Sequence, residues 1–339
     1  KISSTRPIII IHRSFHEFIL NTPAMKVLGI NKEAFNLHEE NNNLANFDDG
    51  HFSERGAIIV LPKLMEVLAS PKTLIKGLQK TRDYLHSNGI TVIGNPGSMY
   101  NKDLQTAKNL IFGNVDSPFE SYFFPSALNL SEQFKFNEVL DAAKEQTTWG
   151  TGKLNYLPKH IKLFADGAMY SQNMVMRDGY IDGHEGSWLM SLDTFENLFK
   201  IFWDDGYQIH IHQNGDAGLD RLLATLKKNL DNNPRTDHRT TVVHFGYSAK
   251  DQLEQMKKLG VVVSANPYYV TALSDLYSRK GVGYERSQEM VRLGDAIKSG
   301  IKVALHSDMP MAPASPLMLM HAAVNRDNFA GKVAGPNQR

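Results

Sequence analysis

The sequence predicts an α/β fold in which parallel strands alternate with helices, a (β/α)8 TIM-type barrel. Three observations carry that expectation. Short apolar runs recur with helix-sized amphipathic segments between them, the rhythm of a parallel sheet covered on both faces. Seven such runs fall within roughly 240 residues, the scale of one barrel with a strand absent. Chemically able side chains stand at the ends of several runs, just before the next helix, where an α/β barrel keeps its reactive groups.

Residues 1–70 depart from this rhythm. The run Pro7-Ile-Ile-Ile-Ile-His12 predicts a short buried strand, and His16 and Asn21 follow in a polar segment. Residues 36–53, rich in Asn, Asp, Glu and Gly, predict an exposed loop. Gly56 to Ala69 predicts a mostly apolar helix interrupted by Pro62. The stretch 1–70 reads as an insertion or lid, and 71–339 as the barrel domain. From Pro71 a helix with Leu74, Leu78 and Leu85 leads to a strand at Gly89–Gly94. The helix Leu104–Phe112 leads to Ser121–Leu128, and the segment Phe134–Ala143 to Ile161–Gly167. A long loop, Met169–Ser187, precedes a helix and then the strand from Tyr207. Leu219, Leu222, Leu223, Leu226 and Leu230 recur at helical spacing before the strand Thr240–Gly246. A helix at Lys250–Leu259 leads to Gly260–Pro267, and one at Ser287–Lys298 leads to Ile301–Pro310.

Composition narrows the classes. A chain of 339 residues with 42% hydrophobic and 22% charged residues has the make-up of a globular enzyme. A formal net charge of +1 argues against a nucleic-acid or anionic-membrane partner. With no cysteine, disulfides and thiolate metal sites are excluded, leaving His, Asp, Glu and Lys as ligands. No apolar run approaches the ~20 residues of a membrane span. Both ends read as cut: the chain opens at Lys1 without a methionine and closes in loop-like residues. A targeting segment could precede Lys1, so the compartment is left open, with a cytoplasmic location favoured.

In Tyr207-Gln-Ile-His-Ile-His-Gln-Asn-Gly-Asp216, apolar and polar residues alternate with a period of two, so His210 and His212 point to one side. His212 lies nearer the rim; His210 lies deeper, in a supporting position. Both would be ordinary partly buried histidines if they stood alone. Asp216 follows a helix-breaking Asn-Gly and reads first as a cap for the next helix. Lys162 is the informative residue, because a lysine on a short apolar strand is normally expelled to the surface. Held inward as a neutral amine it can take up carbon dioxide and become a carbamate, an oxygen ligand. The competing reading is a salt bridge to Asp166. His244 ends its strand, and Asp308 follows His306 at the end of another, although Ser-Asp-Met-Pro is also turn chemistry. Lys162, His212, His244 and Asp308 together form a metal-ligand set if their strands share one barrel. His12, His38, His51 and His184 lack a strand-end context.

These motifs resemble the amidohydrolase superfamily, and within it the YtcJ-like branch that includes N-substituted formamide deformylase and exoenzyme-regulator-type proteins. The matching residues are Lys162-Leu-Phe-Ala-Asp-Gly167, His210-Ile-His-Gln-Asn-Gly-Asp216, Val243-His-Phe245, His306-Ser-Asp-Met-Pro310, and Arg6-Pro7 with the His16–Asn21 stretch. The resemblance implies a metal-dependent hydrolase of C–N bonds in a small molecule. It implies Lys162 as carboxylated bridging ligand, His212 and His244 as ligands of one metal, and Asp308 as ligand of another and general base toward a metal-activated water. His16 would approach the substrate; His210, Asp166, Asp216 and His306 would support the ligands. Zinc is the expected metal, with iron or manganese as alternatives. The family's first barrel strand ends in His-x-His and has no counterpart after Lys1, nor has its small β-sandwich. The resemblance therefore implies one or two ions in an intact protein and at most one tightly bound here. The competing function is a catalytically silent barrel that binds a small molecule or serves regulation. Unpaired sheet edges would also permit a homodimer.

Overall fold

The computed structural model describes residues 3–33 and 44–339. His38 and part of the 36–53 segment lie outside the described residues. The first lobe contains β1 (Ile9–Ile11), β2 (Glu17–Leu20), α1 (Thr22–Leu28), β3 (Ala45–Asn46), β4 (His51–Ser53) and α2 (Arg55–Leu68). The strands form an antiparallel sheet in the order β1-β2-β4-β3. Its inner face packs Phe18, Leu20 and Phe52 against Ala57, Val60 and Leu64 of α2. The run at Ile9–Ile11 is not buried as expected, because β1 is an edge strand with one face in solvent. Ile10 opposes Ile19 across the outer face, and both are exposed. The segment expected as a loop supplies β3 and β4 instead. Helix α2 runs through Pro62 without a break. A proline inside a helix costs about 3 kcal/mol, and the buried Ala57–Val60–Leu64 stripe offsets it.

The rest of the chain alternates strand and helix: α3 (Pro71–Ser87), β5 (Val92–Ser98), α4 (Lys102–Phe112), β6 (Glu120–Pro125), α5 (Ala127–Gln133), α6 (Val139–Gln146), β7 (Leu154–Tyr156) and β8 (His160–Phe164). It continues through α7 (Leu192–Asp204), β9 (Gln208–Gln213), α8 (Asp216–Asn232), β10 (Thr241–His244), α9 (Lys250–Leu259), β11 (Val262–Ala265) and α10 (Tyr268–Leu276). After α11 (Tyr284–Ser287) and α12 (Leu293–Lys298) come β12 (Val303–Leu305) and α13 (Pro316–Asn325). The helix expected over 287–298 forms only as α12, from Leu293; α11 ends at Ser287, and Val291 between them has a φ of 47°, incompatible with a helix. Strand β7 was not legible as a strand; three residues carry too little alternation to mark one.

All of these strands run parallel, in one sheet ordered β12-β11-β10-β9-β8 and another ordered β5-β6-β7. A single parallel bridge, Ser126 to Lys162, joins the two at the edge of β8. Among the described residues, β5 and β12 do not pair, so the strands form an open parallel run and not a closed eight-stranded barrel. Ile161, Leu163, Ile209, Ile211 and Val242 face the helix layer, where Phe195, Leu198, Phe199, Phe202 and Trp203 of α7 and Leu219, Leu222, Leu223 and Leu226 of α8 cover them. The even-numbered residues of β8 and β9 are left for the opposite face, Lys162, His210 and His212 among them. No helix among the described residues is long and apolar enough to cross a membrane.

Candidate active site

Lys162 sits in the middle of β8, level with His210, so it enters the interior one step deeper than His212. Its side chain is buried and has no ion-pair partner among the described residues; its ammonium lies 5.6 Å from the Phe164 ring. Gly97 of β5 makes room for it. That residue has a φ of 90°, and a Cβ there would stand 3.3 Å from Lys162 Cγ. Burial pulls the lysine pKa down to about 7, opposed by the charge of Asp308. The competing salt bridge to Asp166 is not formed.

His212 and His244 are buried, with ring centroids 4.6 Å apart and planes at 74°. Burial holds both well below the ordinary histidine pKa, with Lys162 adding to the effect on each. The Asn214 amide nitrogen donates to His212 Nε2 at 3.0 Å. His306 Nε2 lies 2.9 Å from His244 Nδ1, and Ser264 Oγ 2.9 Å from His306 Nδ1. Asp308 is half exposed, with Oδ2 3.9 Å from His244 Nδ1.

The orientation of His244 is a backbone effect. Strict alternation from Val243, which opposes His212, would send His244 into the helix layer. Instead His244 and Phe245 adopt φ values of 79° and 56°, and Phe245 takes the core position. Asp308 has a φ of 54°. Left-handed backbone at non-glycine residues is strained and persists where the surroundings impose it, a pattern that clusters at functional sites.

His16, at the tip of the β1–β2 hairpin, stacks on His212 with centroids 5.6 Å apart. Its Nδ1 lies 2.7 Å from Glu54 Oε2. Burial alone would lower the His16 pKa, but the charge and hydrogen bond of Glu54 outweigh it and the net shift is upward. Glu54 was missed by sequence reading. A single acidic residue before a helix looks like a solvated charge, and nothing local signals that it is buried.

The supporting candidates divide. His306 bonds His244. His210 lies below the site, paired with His160 at 3.0 Å and 4.5 Å from the Phe124 ring. Asp216 holds loop backbone: its Oδ1 accepts from Arg177 N at 2.8 Å, and the cap position expected of it is taken by Gly215. Asp166 is fully buried and organises the rim. Its Oδ1 accepts from Asn214 N at 3.0 Å; its Oδ2 accepts from Gly215 N at 2.7 Å and Val175 N at 2.9 Å. Asp166→Asn keeps the shape but replaces one acceptor by a donor facing N–H groups. Each orphaned buried donor costs about 1–3 kcal/mol. The variant is expected to unfold at lower urea concentration by at least one such step, and an unchanged midpoint would contradict the role.

The Lys162 amine is near enough to His212 and His244 for its charge to lower the pKa of both imidazoles. Among the described residues no group of three His, Cys, Asp or Glu side chains is arranged to hold a metal ion. A divalent cation therefore fits here only if Lys162 joins the set. Among the described residues the buried Asn214 Oδ1 has no partner, and it lies on the amide beside His212 Nε2. A half-turn of that amide would give Nε2–H an acceptor, as a histidine ligating through Nδ1 requires.

Ionisable side chains gathered beside the C-terminal ends of parallel strands place the chain among the α/β proteins with a strand-end site. A profile of the amidohydrolase family matches residues 1–339, and the chain belongs to that family. It is similar to the putative amidohydrolase YtcJ of Bacillus subtilis (strain 168), 24% identical over 169 residues, which is 49% of this chain and 31% of that protein. It is also similar to N-substituted formamide deformylase of Arthrobacter pascens, 22% identical over 178 residues, 52% of this chain and 33% of that protein. The matches span about a third of those relatives' lengths. An uncharacterized metal-dependent hydrolase from Pyrococcus horikoshii OT3 shares the fold, with a TM-score of 0.72 and 20% identity over 98% of this chain and 62% of that one.

Proposed function

We propose that the protein hydrolyses a C–N bond, of the amide type, in a small molecule with the help of a divalent cation. The observation that supports this most is Lys162, a buried amine with a depressed pKa and no ion-pair partner among the described residues, beside two buried neutral imidazoles. An unpaired amine in that setting is costly, and ligation as a carbamate gives it a purpose. Lys162, His212 and His244 would hold the cation. When bound, zinc or a similar ion supplies Lewis acidity and makes water a competent nucleophile near neutral pH. Asp308, half exposed at the mouth, would take a proton from the attacking water and return one to the leaving nitrogen. His16 would meet the substrate from the hairpin above. Turnover of a panel of N-acyl compounds by protein with measured zinc content tests this. The expected result is hydrolysis that scales with bound metal; metal-replete protein inert toward the whole panel would overturn it. The second reading, a silent fold that binds a small molecule or regulates, draws on the absence of a complete His/Asp/Glu triad among the described residues.

A further inference from the structure

We propose that Glu54 is a positioning residue that fixes which nitrogen of His16 meets the cavity; its kinetic consequence rests on the hydrolase reading above. Glu54 precedes α2 at φ 47° and ψ −115°, a strained backbone for any residue with a side chain, and makes no capping bond to its own helix. Its side chain is completely buried. Oε1 accepts from Ala168 N at 2.9 Å and from Ser171 Oγ at 2.7 Å, both in the turn that follows β8. Oε2 faces His16 Nδ1 at 2.7 Å. A carboxylate has only acceptors, so His16 must present Nδ1–H to it, and Nε2 remains as the free ring nitrogen. The same carboxylate thus joins the hairpin lobe to the rim of the parallel sheet and sets the histidine's tautomer.

The arrangement depends on Glu54 accepting on both sides. In Glu54→Gln the single oxygen is claimed by Ala168 N–H and the Ser171 hydroxyl. The amide NH2 then turns to His16 Nδ1, which must become the acceptor, and the proton moves to Nε2. The substitution changes no shape and inverts the face His16 offers the cavity.

Nitrogen-15 NMR of the histidine-labelled protein reads the tautomer of neutral His16, assigned by the signals lost in His16→Gln. The expected result is Nδ1–H in the wild type and Nε2–H in Glu54→Gln. A wild-type Nε2–H tautomer overturns the proposal without any variant having to fold, and so does an unchanged tautomer in a folded Glu54→Gln. With a substrate in hand, Glu54→Gln should lower kcat/KM about 10- to 100-fold, the usual cost of losing a residue that orients a site group. In the His16→Gln background it should cost nothing further. A second full loss there would mean that Glu54 acts other than through His16. If the wild type hydrolyses nothing, the function fails while the tautomer result still decides the proposal.

Discussion

Lys162→Ala is expected to release the metal and abolish turnover together. The loss should exceed the about 10- to 100-fold that follows removal of a residue merely supporting a ligand. His212 and His244 alone are two neutral donors, too few for the four-coordinate sites first-row ions prefer in proteins. The amine is suited to carbamate formation because burial lowers its pKa to about 7, so much of it is uncharged near neutral pH. Acetate, propionate or another short carboxylate added to Lys162→Ala should restore part of the activity, since Gly97 borders the space and the alanine leaves it open. Full metal content and normal turnover in Lys162→Ala would mean that the lysine only fills the interior.

Asp308→Asn should do the reverse and separate chemistry from binding. The carboxylate sits 3.9 Å from His244 Nδ1 at the exposed mouth of the site. The amide cannot accept a proton as a base, so turnover should fall by about 10²- to 10⁴-fold, the range for loss of a general acid–base group. Metal should largely stay, because Lys162, His212 and His244 are untouched. Unchanged kinetics would leave Asp308 as a turn residue, the reading that its Ser-Asp-Met-Pro context also allows.

Much of this was legible because two signals are local. Alternation puts His210 and His212 on one face, and a lysine inside an apolar strand stands out against its neighbours. The parallel α/β order follows from the strand–helix rhythm for the same reason. What sequence could not reveal depends on tertiary placement. His244 was singled out by its strand end, but its entry into the cavity needs the left-handed turn at His244 and Phe245, which no residue type announces. Glu54 gains its importance from Ala168 and Ser171, more than a hundred residues away. The exposed face of β1 and the continuity of α2 through Pro62 reflect how the first lobe is layered. Pattern alone could not weigh a proline against the packing around it.

Elemental analysis after dialysis against metal-free buffer, comparing the wild type with His212→Ala, is the most direct test that Lys162, His212 and His244 form one cation site. About one equivalent per chain is expected in the wild type, the number a single set of three protein donors supports. His212→Ala should lose it. Wild-type protein that retains no metal when zinc, iron and manganese are each supplied, or His212→Ala that retains as much as the wild type, would contradict the site.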